Sequence, residues 1–89
     1  MNVKEAVAKA KEYISELFQS EQIENLGLEE VEFDDKENAW FVTIGFSRPW
    51  EQAGFAAQAG LTHPRALKVV RISDDGTVTY MKERRRVAA

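Results

Sequence analysis

The sequence predicts an α+β fold in which one N-terminal helix packs on a four-stranded antiparallel meander sheet. Three observations predict it. Apolar residues recur at helical spacing near the N-terminus, alternation of apolar and polar residues dominates the later stretches, and turn-forming clusters join those stretches into two hairpins. Helix and sheet each present one apolar face, and each can cover the other.

The helix is predicted over Asn2 to Gln19. Val3, Val7, Ala10, Ile14 and Leu17 form a stripe, widened by Ala6, Tyr13 and Phe18. Asn2 can act as N-cap, and Glu5 with Lys9 makes an i,i+4 pair of favourable order on the outer surface. Ser20 to Gly27 reads as a polar turn or a short helix, with Ile23 and Leu26 tucked inward and Gly27 as the left-handed residue that ends a helical turn.

Val31 and Phe33 alternate with Glu30, Glu32 and Asp34, the period-2 pattern of a strand with one wet face. Asp35 to Asn38 then forms a turn. Ala39 to Ser47 is the second strand: Trp40, Val42, Ile44 and Phe46 share the face best suited to the core, and Phe41, Thr43, Gly45 and Ser47 share the other. Ala66 to Ser73 is the third strand, and the turn Asp74-Asp75-Gly76 leads to the fourth, Thr77 to Glu83.

With 89 residues the chain reads as a single domain, 1–89, with one simple core. Hydrophobic residues at 44% and charged residues at 30% place it among folded rather than disordered chains. It has no cysteine, which excludes disulfides, thiolate metal sites and a cysteine nucleophile. No apolar run approaches a membrane span and the N-terminus lacks the apolar core of a signal peptide, so a cytoplasmic protein is expected. The net charge of −3 conceals an asymmetry. Residues 1–37 hold 11 acidic and 4 basic side chains, net −7, whereas residues 38–89 hold 4 acidic and 8 basic, net +4. Either this keeps the protein dispersed or one face steers a partner of opposite charge.

The order of elements resembles the cystatin-like arrangement, a long N-terminal helix wrapped by an antiparallel sheet. The stretch Val69 to Val78 (VVRISDDGTV) also resembles the second hairpin of PepSY-type domains. Inhibitory cystatins resemble one another in a Gln-x-Val-x-Gly hairpin and a Pro-Trp hairpin at one end of the sheet. Here the corresponding turns would be Asp35 to Asn38 and Asp74 to Gly76, which carry neither motif. Pro49-Trp50 falls in the connection between the hairpins, at the opposite end. The resemblance therefore implies a shape and does not carry protease inhibition.

Chemistry-bearing constellations are thin. His63 is the lone histidine, and Ser15, Ser20, Ser47 and Ser73 lack a nucleophile-elbow context. Asp34-Asp35 and Asp74-Asp75 are turn-forming pairs without the offsets of a calcium loop. Gly54 and Gly60 stand apart from any phosphate-cradling pattern. No enzyme, metal or cofactor is expected. Lys68, Arg71, Lys82 and Arg84 to Arg86, with Arg65, could form a basic strip, but edge-strand protection explains it better than nucleic-acid binding.

Two features remain. Phe41, Leu67, Val69 and Met81 should project from the sheet face away from the helix, and a face that apolar calls for a cover. The segment Pro49 to Pro64 is long for a connection, carries a single charge at Glu51, and holds Trp50 and Phe55. These aromatics either cap the core or form a partner-binding or self-association surface. The expected partner surface comprises Trp50, Phe55, Phe41, Val69 and Met81, in a non-enzymatic protein-binding module of immunity, antitoxin or regulatory kind, with dimerisation a further expectation. The alternative is a small-ligand-binding or catalytic module with a pocket between the sheet and residues 49–64.

Overall fold

The computed structural model describes residues 1–48 and 66–84, and its element order is that of a helix followed by four strands. Helix α1 spans Val3–Leu17, a short 3-10 turn covers Gln19–Glu21, and strands β1 (Glu24–Asp34), β2 (Ala39–Ser47), β3 (Ala66–Ser73) and β4 (Val78–Glu83) follow. The strands form one antiparallel sheet in the order β1-β2-β3-β4, with α1 packed on one face. The α+β arrangement expected from periodicity is the one observed.

Asn2 starts the helix through a reciprocal cap. Its Oδ1 accepts the Glu5 N–H at 2.9 Å, and its own N–H donates to Glu5 Oε1 at 3.1 Å. Glu5 is thereby turned back toward the cap, and no ion pair with Lys9 forms among the described residues. Ala6, Ala10, Ile14 and Phe18, each four residues after the last, are the buried face of the helix. Val3 and Leu17, the ends of the expected stripe, lie outside the core, 45% and 49% exposed.

Opposite the helix face, Val42, Ile44 and Phe46 of β2 and Val70 and Ile72 of β3 are fully buried. Each contributes roughly 1.5–3 kcal/mol of burial free energy. Phe18 packs on Phe46 with ring centroids 5.1 Å apart, closing the core where α1 ends. Ile23 and Leu26 pack against it, as their spacing suggested.

The segment after the helix departs from the expected connector. The left-handed residue that ends the 3-10 turn is Gln22 (φ 51°), and Gly27 lies inside β1, paired with Gly45. Strand β1 is accordingly longer than Val31 and Phe33 indicated. Its pairing with β2 is interrupted twice, between Glu24 and Gly27 and between Leu28 and Glu30, with Asn25 at φ 56° in the first interruption. These extra residues break the period-2 pattern and disguise the strand's first half.

The two turns lie together at one end of the sheet, where Asp74 N–H donates to the Asn38 carbonyl at 3.1 Å. In the first, Asp34 Oδ1 accepts from Lys36 N–H at 2.8 Å, and Asn38 takes a left-handed conformation at φ 53°. In the second, Gly76 N–H donates to the Ser73 carbonyl and Ser73 N–H to the Thr77 carbonyl, both at 2.8 Å. Gly76 sits at φ 96°, so this is a three-residue hairpin loop closed by a left-handed glycine.

Candidate functional site

The sheet face away from the helix carries part of the expected partner surface. Phe41 pairs with Arg71, and Thr43 with Val69, so Phe41, Leu67 and Val69 share that face and are all half-buried. Charge is laid across it. Arg84 Nη1 donates to Glu30 Oε1 and to Thr43 Oγ1, each at 3.0 Å, reaching over β3 to tie the end of β4 to β2 and β1. Thr43 is 2% exposed beneath this guanidinium. Arg71 pairs with Glu37 at 3.3 Å and lies 5.9 Å from the Phe41 ring centroid. Lys82 lies 4.8 Å from that of Tyr80. Of the cations read from the sequence as a basic strip, Arg71 and Arg84 are thus matched by acids of the first turn and β1, Lys82 lies over Tyr80, and Lys68 lies on the helix face over Phe18.

Met81 is not on the outer face. It pairs with Val70 and packs against the helix-side core. The cause is a bulge in β4: Ile72 pairs with Val78 but Arg71 pairs with Tyr80, leaving Thr79 as an extra residue. One extra residue exchanges the faces of everything after it. Thr79 holds the bulge by donating its hydroxyl to the Arg71 carbonyl at 3.2 Å and accepting from Arg71 Nη1 at 2.9 Å. Trp50, Phe55 and His63, with the rest of the Pro49 to Pro64 segment, and Arg65, Arg85 and Arg86 lie outside the described residues.

Among the described residues, the apolar surface left most open is on the other side of the sheet, along the flank where α1 meets edge strand β1. Besides Val3 and Leu17, the large hydrophobic residues exposed among those described are Leu28 at 43% and Phe33 at 38%, both on β1. Val3, Val7, Ala8 and Leu28 line a groove of about 410 Å³ between helix and strand, and Lys4 and Lys11 stand on its helix side. Neither lysine makes an ion pair among the described residues. Leu28 faces the helix side because it pairs with Ile44, yet it sits on the outermost strand where α1 leaves it uncovered.

Periodicity alone assigned Val3 to the core and passed over Leu28. The usable signal was the spacing Leu26, Leu28, Val31, Phe33: apolar residues two, three and two apart, a strand with one bulge.

At the opposite end of the helix, Arg48 lies 5.4 Å from the Phe18 centroid and 5.5 Å from that of Phe46, with Glu21 Oε1 3.7 Å from its Nε. This stack seals the core beside buried Ser47. Among the described residues no group of three or more histidine, cysteine, aspartate or glutamate side chains is placed to hold a metal, and no helix is long and apolar enough to cross a membrane. Among the described residues, Asp75 is the titratable group with a distinct shift. The Thr77 backbone N–H, donating to Asp75 Oδ1 at 2.9 Å, and then the Thr77 hydroxyl hold its carboxyl below the ordinary value of 3.8. It is a turn-stabilising acid rather than a reactive one.

Compared with known proteins, the chain matches no family model, no curated protein and no solved structure.

Proposed function

We propose that the protein is a non-enzymatic, cytoplasmic protein-binding module of cystatin-like shape, engaging its partner through the flank between α1 and β1. The observation that carries this reading is the groove of Val3, Val7, Ala8 and Leu28, with two of those residues more than two-fifths exposed. Apolar side chains gathered in one open groove, rather than scattered singly, are the usual mark of an interaction surface. A regulatory, immunity or antitoxin role fits such a module, and dimerisation through a second surface is compatible with it. The outer sheet face with Phe41 and Val69 is the natural place for that second surface, although Arg71 and Arg84 on it are already matched by Glu37 and Glu30.

Capture from an extract of the native host tests the reading, using wild type, Val3→Asp/Leu28→Asp and Phe41→Ser, each checked by thermal melting. Loss of the captured partner in the groove variant and its retention in Phe41→Ser are expected. No specific capture, or equal capture by all three folded proteins, would end it.

A further inference from the structure

We infer that the groove between α1 and β1 receives an amphipathic helix of another protein, one whose apolar stripe is bordered by carboxylates. The inference rests on the protein-binding reading and adds the chemistry of the partner.

Charge points to acid. Lys4 and Lys11 lie seven residues apart, about 10 Å along the helix axis, and both line the groove. They belong to the half of the chain that carries net −7, where only two other cations occur. Lys9 of those two extends toward Gly76, and Lys36 is in the first turn. Cations that make no ion pair among the described residues, gathered on the helix side of one apolar groove, select an occupant with acids at matching positions.

Shape points to a helix. Val3 with Val7, and Lys4 with Ala8, form rows at i,i+4 spacing, the ridges between which a second helix seats its own side chains. Ala8 is small and lets the two axes approach. An added strand fits poorly, because the Leu28 to Glu30 bulge interrupts the regular hydrogen-bonding edge of β1 at the groove. A second copy of this chain docked groove to groove would oppose Lys4 and Lys11 with the same residues, since a two-fold contact is self-complementary.

The test uses the full chain, isotopically labelled, with two synthetic helical peptides of about four turns. They share one leucine stripe and differ only in glutamate or lysine at its borders. The acidic peptide should perturb the amide signals of Lys4, Val7, Ala8, Lys11 and Leu28 and bind at least about tenfold tighter than the basic one. Lys4→Glu/Lys11→Glu should reverse that preference while leaving the melting temperature near that of wild type. Equal affinity for both peptides, no binding of either, or perturbation centred on Phe41 and Val69 overturns the inference. So does laurate filling the groove when neither peptide does. Host capture that survives Lys4→Glu/Lys11→Glu but fails in Val3→Asp/Leu28→Asp leaves the protein-binding reading standing and ends this one.

Discussion

At the scale of single residues, a few side chains fix where the backbone turns. The reciprocal Asn2 and Glu5 bonds satisfy donors that the first turn of α1 would otherwise leave open. Asn2→Ala should cost about 1 kcal/mol, measured by chemical denaturation, and Glu5→Gln should cost less because an amide oxygen can still accept. Gly76 is held at φ 96°, and a methyl group there would come within 3.3 Å of Lys9 Cε and 3.4 Å of Met1 Cε. Both neighbours are tips of flexible side chains that can move aside, so the penalty of Gly76→Ala is conformational, about 1–2 kcal/mol. Asp75 supplies a pH dependence of definite sign. Its folded value is below 3.8, so the bond to Thr77 stabilises the turn fully above the unfolded value and is lost as pH falls through the folded one. The protection of the Thr77 amide, its exchange rate set against the intrinsic rate at the same pH, should therefore be lost as pH falls below the ordinary carboxylate value of 3.8 in wild type. In Asp75→Ala, which leaves the Thr77 N–H no side-chain acceptor, protection should already be lower at neutral pH and change less on acidification. Protection in wild type that stays constant down to the acid limit of the folded state would contradict this.

At the scale of elements, bulges separate what alternation reveals from what the chain does. The β2 faces were legible because nine residues run without interruption, and Val42, Ile44 and Phe46 are buried as their spacing requires. The first half of β1 was not, because extra residues near Asn25 and at Glu29 shift its pattern and make it resemble a polar turn. In β4 a single extra residue, Thr79, moves Met81 from the outer face into the core. Nothing in TVTYMKE marks that residue, since the bulge is fixed by Arg71, a partner from another strand. Met81→Ala should thus destabilise the protein by about 2 kcal/mol, as for a partly buried core methionine. An outer-face position would change stability by less than about 0.5 kcal/mol. Thr79→Val should cost about 1 kcal/mol by removing two hydrogen bonds. If Met81→Ala melts like wild type, the register of β4 is other than described.

At the scale of the molecule, the charge asymmetry visible in the sequence becomes a division between the two sheet edges. Strand β1, one edge, runs for 11 residues and carries Glu24, Glu29, Glu30, Glu32 and Asp34; the other edge, β4, balances Lys82 with Glu83 and leads into Arg84. Arg84 with Glu30 shows that the two charges also meet within one molecule. The groove was the least legible part of the candidate site, because it depends on how far α1 lies from β1, which no local pattern encodes. Bulges already interrupt this edge against an added strand, and the like charges along it further oppose side-by-side contacts between copies. Glu24→Thr/Glu32→Thr should therefore leave stability within about 0.5 kcal/mol of wild type, both positions being exposed. The same variant should associate at concentrations where wild type sediments as a single species. Added salt should move wild type part of the way toward that behaviour, since screening weakens repulsion between exposed charges. Sedimentation velocity across a salt series, run beside the melting curves, separates the two effects; a variant that stays dispersed at every salt concentration would show that the acids of β1 do not guard its edge.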